Sequence, residues 1–256
     1  MIAFVREVSD ALERCELTHL PRVPIDLKLA RKQHARFVAV LEELAVRVEF
    51  LPPLPEQPDA VFVEDTAVVL PGLAIVTRPG VPSRLTEVDS IRETLGQHWP
   101  LHRIEHPGTL DGGDVLRTGR TIHVAESRRT NPDGITQLRD IVAAHGYEVR
   151  VVTVRDCLHL KSACTFIPPH FLVANAGWIN TAAFGNLVVI RADESEPFGA
   201  NTVTIGDMTL VSASFPKTEQ RLRDAGIKTQ RVEISEFEKA EGGLTCLSLI
   251  GSAAEQ

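Results

Sequence analysis

The chain has 256 residues and a formal net charge of −7, with 43% hydrophobic and 24% charged residues, the balance of a soluble globular protein long enough to bury a substantial core. No apolar run approaches the roughly 18 residues that a membrane-spanning helix needs, and no basic run offers a footprint for a phosphate backbone, so neither a membrane nor a nucleic acid is expected as a partner. Four cysteines, Cys15, Cys157, Cys164 and Cys246, lack the number and spacing of a disulfide framework or a structural zinc site. The N-terminal "MIAFVREVSD" turns charged too early for a secretory signal. A cytoplasmic protein with reduced thiols is therefore expected.

The chain opens on a strand, "IAFVREV", and continues through "RCELTHLPRVP", which carries two prolines and no period and reads as a loop. A long helix, "KLARKQHARFVAVLEELAV", and a strand, "RVEFLPP", follow. Then four stretches read alike: "FVEDTAVVLPGLAIVTRPG", "LDGGDVLRTGRTIHVAES", "HLKSACTFIPPHFLVANAG" and "FGANTVTIGDMTLVSAS". Each runs from small or polar residues into a β-branched strand, a turn and a second strand, the pattern of a hairpin. Between them, "SRLTEVDSIRETLGQHW", "NPDGITQLRDIVAAHGY" and "KTEQRLRDAG" carry helical periodicity, and each gives way to a strand. The third interval is less tidy, with "GWINTAAFGN" as a short helix before "LVVIRA". The repeating unit is β-β-α-β.

The last strand, "LTCLSLIG", has no partner after it, whereas the N-terminal strand, helix and strand lack a first strand. Joined, they make a fifth unit. The expectation is an α/β fold: a closed, five-bladed ring of ββαβ units in one domain over residues 1–256, with edge strands hidden by closure. Equivalent positions at the head of each first strand then point toward one axis. They are occupied by Glu64 and Asp65, Asp111 and Asp114, His159, Asn201, and Cys246. On a regular strand the adjacent Glu64 and Asp65 would face opposite sides.

The motifs "VFVEDTAVV", "TRPGVPSR", "TLDGGDVL", "RRTN", "LHLKS" and "LTCLS", in this order from about Arg6 to Cys246, resemble dimethylarginine dimethylaminohydrolases of the guanidino-modifying pentein superfamily. That resemblance implies a five-bladed α/β propeller, no cofactor and no metal. It implies a small methylated arginine as the substrate and hydrolysis to citrulline. Cys246 is implied as the nucleophile, since a delocalised guanidinium carbon demands a strong soft nucleophile. His159 is implied as the acid that protonates the leaving amine and then the base that activates water. Asp111 would accept a hydrogen bond from His159, where other superfamily members carry a glutamate, and Asp114 is the weaker candidate because "DGGD" is also good turn chemistry.

The resemblance also assigns the substrate contacts. Asp65 would bind the guanidino group through paired N–H bonds, with Asp59 and Glu64 at the amino-acid end or in the polar shell. Arg84 and Arg129 would hold the carboxylate, Leu17 would contact substrate from a lid, and the backbone near Ala240 would meet the amino group. The glycines of "EGGLTC" read as clearance for the substrate's approach. Arginine deiminases carry a second aspartate two residues after the histidine, where this chain has Lys161, which favours the methylated substrate. A non-catalytic ribosome-binding translation initiation factor shares the ring, but that reading predicts no Cys/His/Asp set. The assembly expected is a monomer or a homodimer.

Overall fold

Short strands separated by turns dominate the chain, and the computed structural model describes residues 1–252 of it. The domain expected over residues 1–256 therefore extends into residues 253–256, which lie outside the described residues. The chain opens with β1 (Ile2–Val5), α1 (Leu27–Glu43) and β2 (Arg47–Phe50). Asp26 caps α1, its carboxylate accepting the Leu29 N–H. Next come β3 (Ala67–Leu70), β4 (Leu73–Val76), α2 (Val88–Leu95) and β5 (Leu101–Arg103). The second unit holds β6 (Val115–Thr118), β7 (Thr121–Glu126), α3 (Pro132–Ala143) and β8 (Glu148–Thr153). In the third, the one-turn α4 (Leu160–Ala163) precedes β9 (Cys164–Ile167), β10 (Phe171–Ala174) and β11 (Val188–Arg191), with a 3-10 turn at Thr181–Phe184 where the short helix was expected. The fourth has β12 (Val203–Ile205), β13 (Met208–Ser212), α5 (Pro216–Asp224) and β14 (Lys228–Val232), and α6 (Ser235–Glu238) leads to β15 (Leu249–Gly251).

These strands form five three-stranded sheets, ordered β3-β4-β5, β6-β7-β8, β9-β10-β11, β12-β13-β14 and β15-β1-β2. In every sheet the central strand pairs antiparallel with one neighbour and parallel with the other. The fifth sheet joins the two ends of the chain: β15 runs antiparallel to β1, with Ala3 opposite Ile250, in the place that β3 holds beside β4. Sheets this small bury little by themselves, so the core forms between units. Phe37 and Leu41 of α1, for instance, pack in one cluster with Phe62 and with Phe237, Leu244 and Leu247 from the other end of the chain.

Two elements differ from the sequence reading. The helix expected from Ser83 begins as a 3-10 segment, Pro82–Glu87, and becomes α-helical only at Val88, because Arg84 and Glu87 turn inward and are buried as a pair. The strand expected through "LTCLSLIG" is shorter: Cys246 lies in a 3-10 turn, Thr245–Leu247, and only Leu249–Gly251 pair with β1. No helix among the described residues is long and apolar enough to cross a membrane. Because Phe37 is fully buried at the joint between the chain's two ends, Phe37→Ala is expected to cost about 3–5 kcal/mol of unfolding free energy, measured by denaturant melts.

Candidate active site

Four of the five units begin with a tight turn instead of going straight into their first strand. Val63–Thr66 precedes β3, Gly112–Asp114 precedes β6, α4 precedes β9, and Thr245–Leu247 leads to β15. The turn at Val63–Thr66 touches both Gly112–Asp114 and Thr245–Leu247, and α4 touches Gly112–Asp114. Glycine permits this approach. A Cβ at Gly113 would lie 2.7 Å from His159 Nδ1 and 2.8 Å from Asp65 Oδ1, well inside van der Waals contact.

A narrow cleft opens at this junction, lined by Cys246, His159, Asp65, Asp59, Arg84, Arg129 and Ala240, together with Glu16, Phe62, Leu158, Glu241 and Gly242. A larger cavity of about 290 Å³ lies on the other side of Glu64, lined by Lys161, Thr165, Thr202 and Thr245 among others. Neither the thiol nor the imidazole lines it, so the reactive groups belong to the smaller cleft.

His159 is 4% exposed. Its Nε2 lies 3.1 Å from Asp111 Oδ2, and its Nδ1 lies 3.7 Å from Asp65 Oδ1. Burial alone would lower the imidazole's pKa, but Asp65, the hydrogen bond to Asp111, and Asp114 together outweigh it and raise it to about 9. Burial pushes the Asp65 carboxyl the other way, yet His159, Arg84 and Arg129 hold it down at about 2. At neutral pH this is a buried imidazolium between carboxylates. Cys246 contrasts with it: burial, then Glu64 and Asp65, push its thiol up to about 12, and its Sγ accepts the Gly243 N–H at 3.3 Å. The free protein therefore holds a neutral thiol.

No protein-family model matches the chain. The N(G),N(G)-dimethylarginine dimethylaminohydrolase of Streptomyces coelicolor is 37% identical over 249 residues, covering 96% of this chain and 95% of that protein. Its counterpart from Pseudomonas aeruginosa is 33% identical over 226 residues, covering 88% and 89%. The crystal structure of a cysteine-to-serine mutant of the Pseudomonas aeruginosa enzyme complexed with citrulline superposes with a TM-score of 0.92 at 31% identity, covering 97% of this chain and 98% of that one. The chain belongs to the dimethylarginine dimethylaminohydrolase family. Arginine dihydrolase structures at 17% identity, with a TM-score of 0.86, share the fold.

Within this member of the family, the expected residues divide. Cys246, His159, Asp59, Asp65, Arg84, Arg129 and Ala240 meet at the cleft, and Asp111 stands behind His159 without lining it. Glu64 does not face the cleft as a substrate ligand would. On the tight turn it points the opposite way from Asp65, where Lys161 Nζ donates to it at 2.7 Å and Thr245 Oγ1 at 2.6 Å. Leu17 also stays off the cleft wall, half-buried against the core, and its neighbour Glu16 lines the cleft instead. Asp114 is a scaffold: its carboxylate accepts from Ser127 Oγ, Thr130 Oγ1 and the Leu160 N–H. Asn201, the head of the fourth unit, accepts the Thr245 N–H and donates to the Lys161 carbonyl.

The glycines before Cys246 also clear space for the protein itself, since a Cβ at Gly242 would lie 2.4 Å from the Phe62 ring and one at Gly243 2.4 Å from Asn201. Phe62, Leu158, Glu16 and Glu241 are the lining residues that sequence reasoning missed. Leu158 adjoins His159 and Phe62 lies two residues before Glu64, but neither carries chemistry of its own.

The two arginines differ in what they have left to offer. Arg84 donates to Glu87, to Asp65 Oδ2 at 2.5 Å and to the Phe62 and Asp59 carbonyls, all beneath the surface. Of its five N–H donors, one remains free. Arg129 has a single charged contact, Asp111 at 3.9 Å, and keeps its fork open to the cleft. Arg84→Met is accordingly expected to cost about 3–5 kcal/mol in denaturant melts, because it strands two buried carboxylates, while Arg129→Met costs less than half as much.

Proposed function

We propose that the protein hydrolyses Nω-methylated arginines to citrulline and dimethylamine or methylamine, using Cys246 as the nucleophile. The observation that carries the reading is the joint lining of one cleft by Cys246, His159 and Asp65, with Asp111 behind the imidazole. The chemistry follows from their electrostatics. A guanidinium seated on Asp65 supplies the positive charge that the thiol lacks; it offsets the carboxylates that disfavour the thiolate, and the thiol proton leaves to solvent. The Cys246 thiolate then forms a C–S bond to the guanidinium carbon.

Collapse of the tetrahedral adduct breaks the bond to the methylated nitrogen, which departs as a neutral amine after taking a proton from His159. Neutral His159 next removes a proton from water, the hydroxide adds to the thiouronium carbon, and the C–S bond breaks as the adduct's hydroxyl proton passes to the departing Cys246 sulfur, which releases citrulline and restores the thiol. Asp111 keeps the imidazole oriented through both transfers. Neither a metal nor an organic cofactor enters any step.

The amino-acid end of the substrate falls to Arg129 and the last free donor of Arg84 for the carboxylate, and to Asp59 and the Ala240 carbonyl for the ammonium. The Ala240 N–H is already given to Phe237, which leaves its carbonyl for that contact. Glu16, beside Leu17, borders this end of the cleft. Support for a closed five-bladed propeller in one domain comes from contacts between β15 and β3, β6 and β9, and β9 and β12. The four free cysteines suit a cytoplasmic setting.

Arginine deiminase is the competing activity. Lys161, at the position where deiminases carry a second aspartate, donates to Glu64 and the Gly112 carbonyl. An unmethylated nitrogen therefore finds no second carboxylate there, and release of dimethylamine from dimethylarginine should exceed release of ammonia from arginine.

Cys246→Ser is expected to abolish citrulline formation, and rapid acid quench of the unsubstituted protein should trap a covalent adduct on Cys246; normal turnover by the serine variant would refute the mechanism. The imidazolium is the acid in the first half-reaction, so kcat/KM, which reports the free protein, should fall as pH rises through about 9. Asp111→Asn removes a charge that favours the imidazolium, and should move that falling limb to lower pH by roughly one unit, read from the pH profile of kcat/KM.

A further inference from the structure

The lid segment after Cys15 has no regular structure of its own, and its backbone N–H groups are held by side chains far away in the sequence. The Glu16 N–H points at Asp59, 3.2 Å from both carboxylate oxygens. The next free run, Thr18, His19 and Leu20, converges on the carboxylate of Glu241: Oε1 accepts these three consecutive N–H groups at 3.0, 2.5 and 2.6 Å. Three successive backbone donors around one anion form a concave cradle, and each bond is charge-assisted. The backbone N–H groups of Glu16 and Thr18, the residues on either side of Leu17, are thus fastened to carboxylates from two different units, one before β3 and one before β15.

Glu241 itself is unusual. Its φ is +58°, the left-handed region that glycine occupies without strain and glutamate does not. Gly242 and Gly243 follow immediately, so the loop is already glycine-rich, yet a long acidic side chain holds the one left-handed position. The conformation aims its carboxylate at the lid while its backbone lines the cleft beside Ala240 and Cys246.

We propose that Glu241 is the positioning residue that latches the segment after Cys15 against the cleft and so holds Glu16 in the cleft wall. The latch rests on the reading of this cleft as the active site, and it acts on substrate retention, with the chemistry left to Cys246 and His159. Since the lid closes equally over the bound substrate and its transition state, losing the latch weakens uniform binding, which raises KM and leaves kcat in place.

Glu241→Gly tests this cleanly, because it removes the carboxylate and also relieves the positive φ, so the variant is not expected to fold less well. In the full chain without ligand, hydrogen exchange at the amides of Thr18, His19 and Leu20 should accelerate at least about tenfold, the worth of one charge-assisted hydrogen bond, with the thermal midpoint unchanged or higher. KM for asymmetric dimethylarginine should rise by at least about the same factor while kcat changes less than about twofold. Glu241→Gln, which keeps one acceptor oxygen, should recover part of both losses. Wild-type exchange and wild-type KM in the glycine variant would overturn the proposal. Should the unsubstituted protein turn over no methylarginine at all, the substrate reading fails, whereas the exchange measurement still decides the latch.

Discussion

A carboxylate that is buried and ionised has to be surrounded by positive charge, and the burial of Asp65 imposes that condition on everything around it. At 3% exposure it would be neutral without help. Its partners come from three directions: Arg84 from the segment after the first hairpin, the Gly113 N–H from the second unit, and His159 from the third. Arg84 in turn is buried only because Glu87, one turn on, shares it. The 3-10 start of the helix, the glycine at position 113 and the raised pKa of the imidazole are all consequences of keeping one negative charge at the bottom of the cleft.

The same charge helps keep Cys246 a thiol. Burial disfavours a thiolate there most, and Glu64 and Asp65 disfavour it further. Burial and neighbouring charge thus act in concert on the cysteine and in opposition on the histidine, which is how one small site holds a protonated imidazole and a protonated thiol together. The turn that carries both acids separates their tasks: Asp65 faces the cleft, while Glu64 is tied to Lys161 and Thr245 at the boundary of the larger cavity.

Much of the architecture was legible because the unit repeats. Four hairpins and their trailing strands share a pattern, and the orphan "LTCLSLIG" had only the N-terminal strand left to join, as β15 and β1 do. The heads of the units were legible as positions but not as conformations. Nothing local distinguishes a strand from the 3-10 turns at Val63–Thr66 and Thr245–Leu247; these turns exist because neighbouring units press against them. The glycines at 242 and 243 were visible as clearance, but what they clear, Phe62 and Asn201, is distant in sequence. Glu241 gave no signal at all, since its partners lie 221 to 223 residues earlier.

The sequence by itself determined which chemistry is available: one cysteine, one histidine and a set of acids at equivalent positions of a repeated unit, in a chain whose ends must complete each other. Hydrophobic period and turn residues carry that information locally. Only the tertiary structure decided which acid meets the cleft, which arginine retains free donors, and whether the thiol and imidazole are charged. Those outcomes depend on burial and on distances of about 3 to 4 Å between groups from different units, and neither quantity exists until the units are packed.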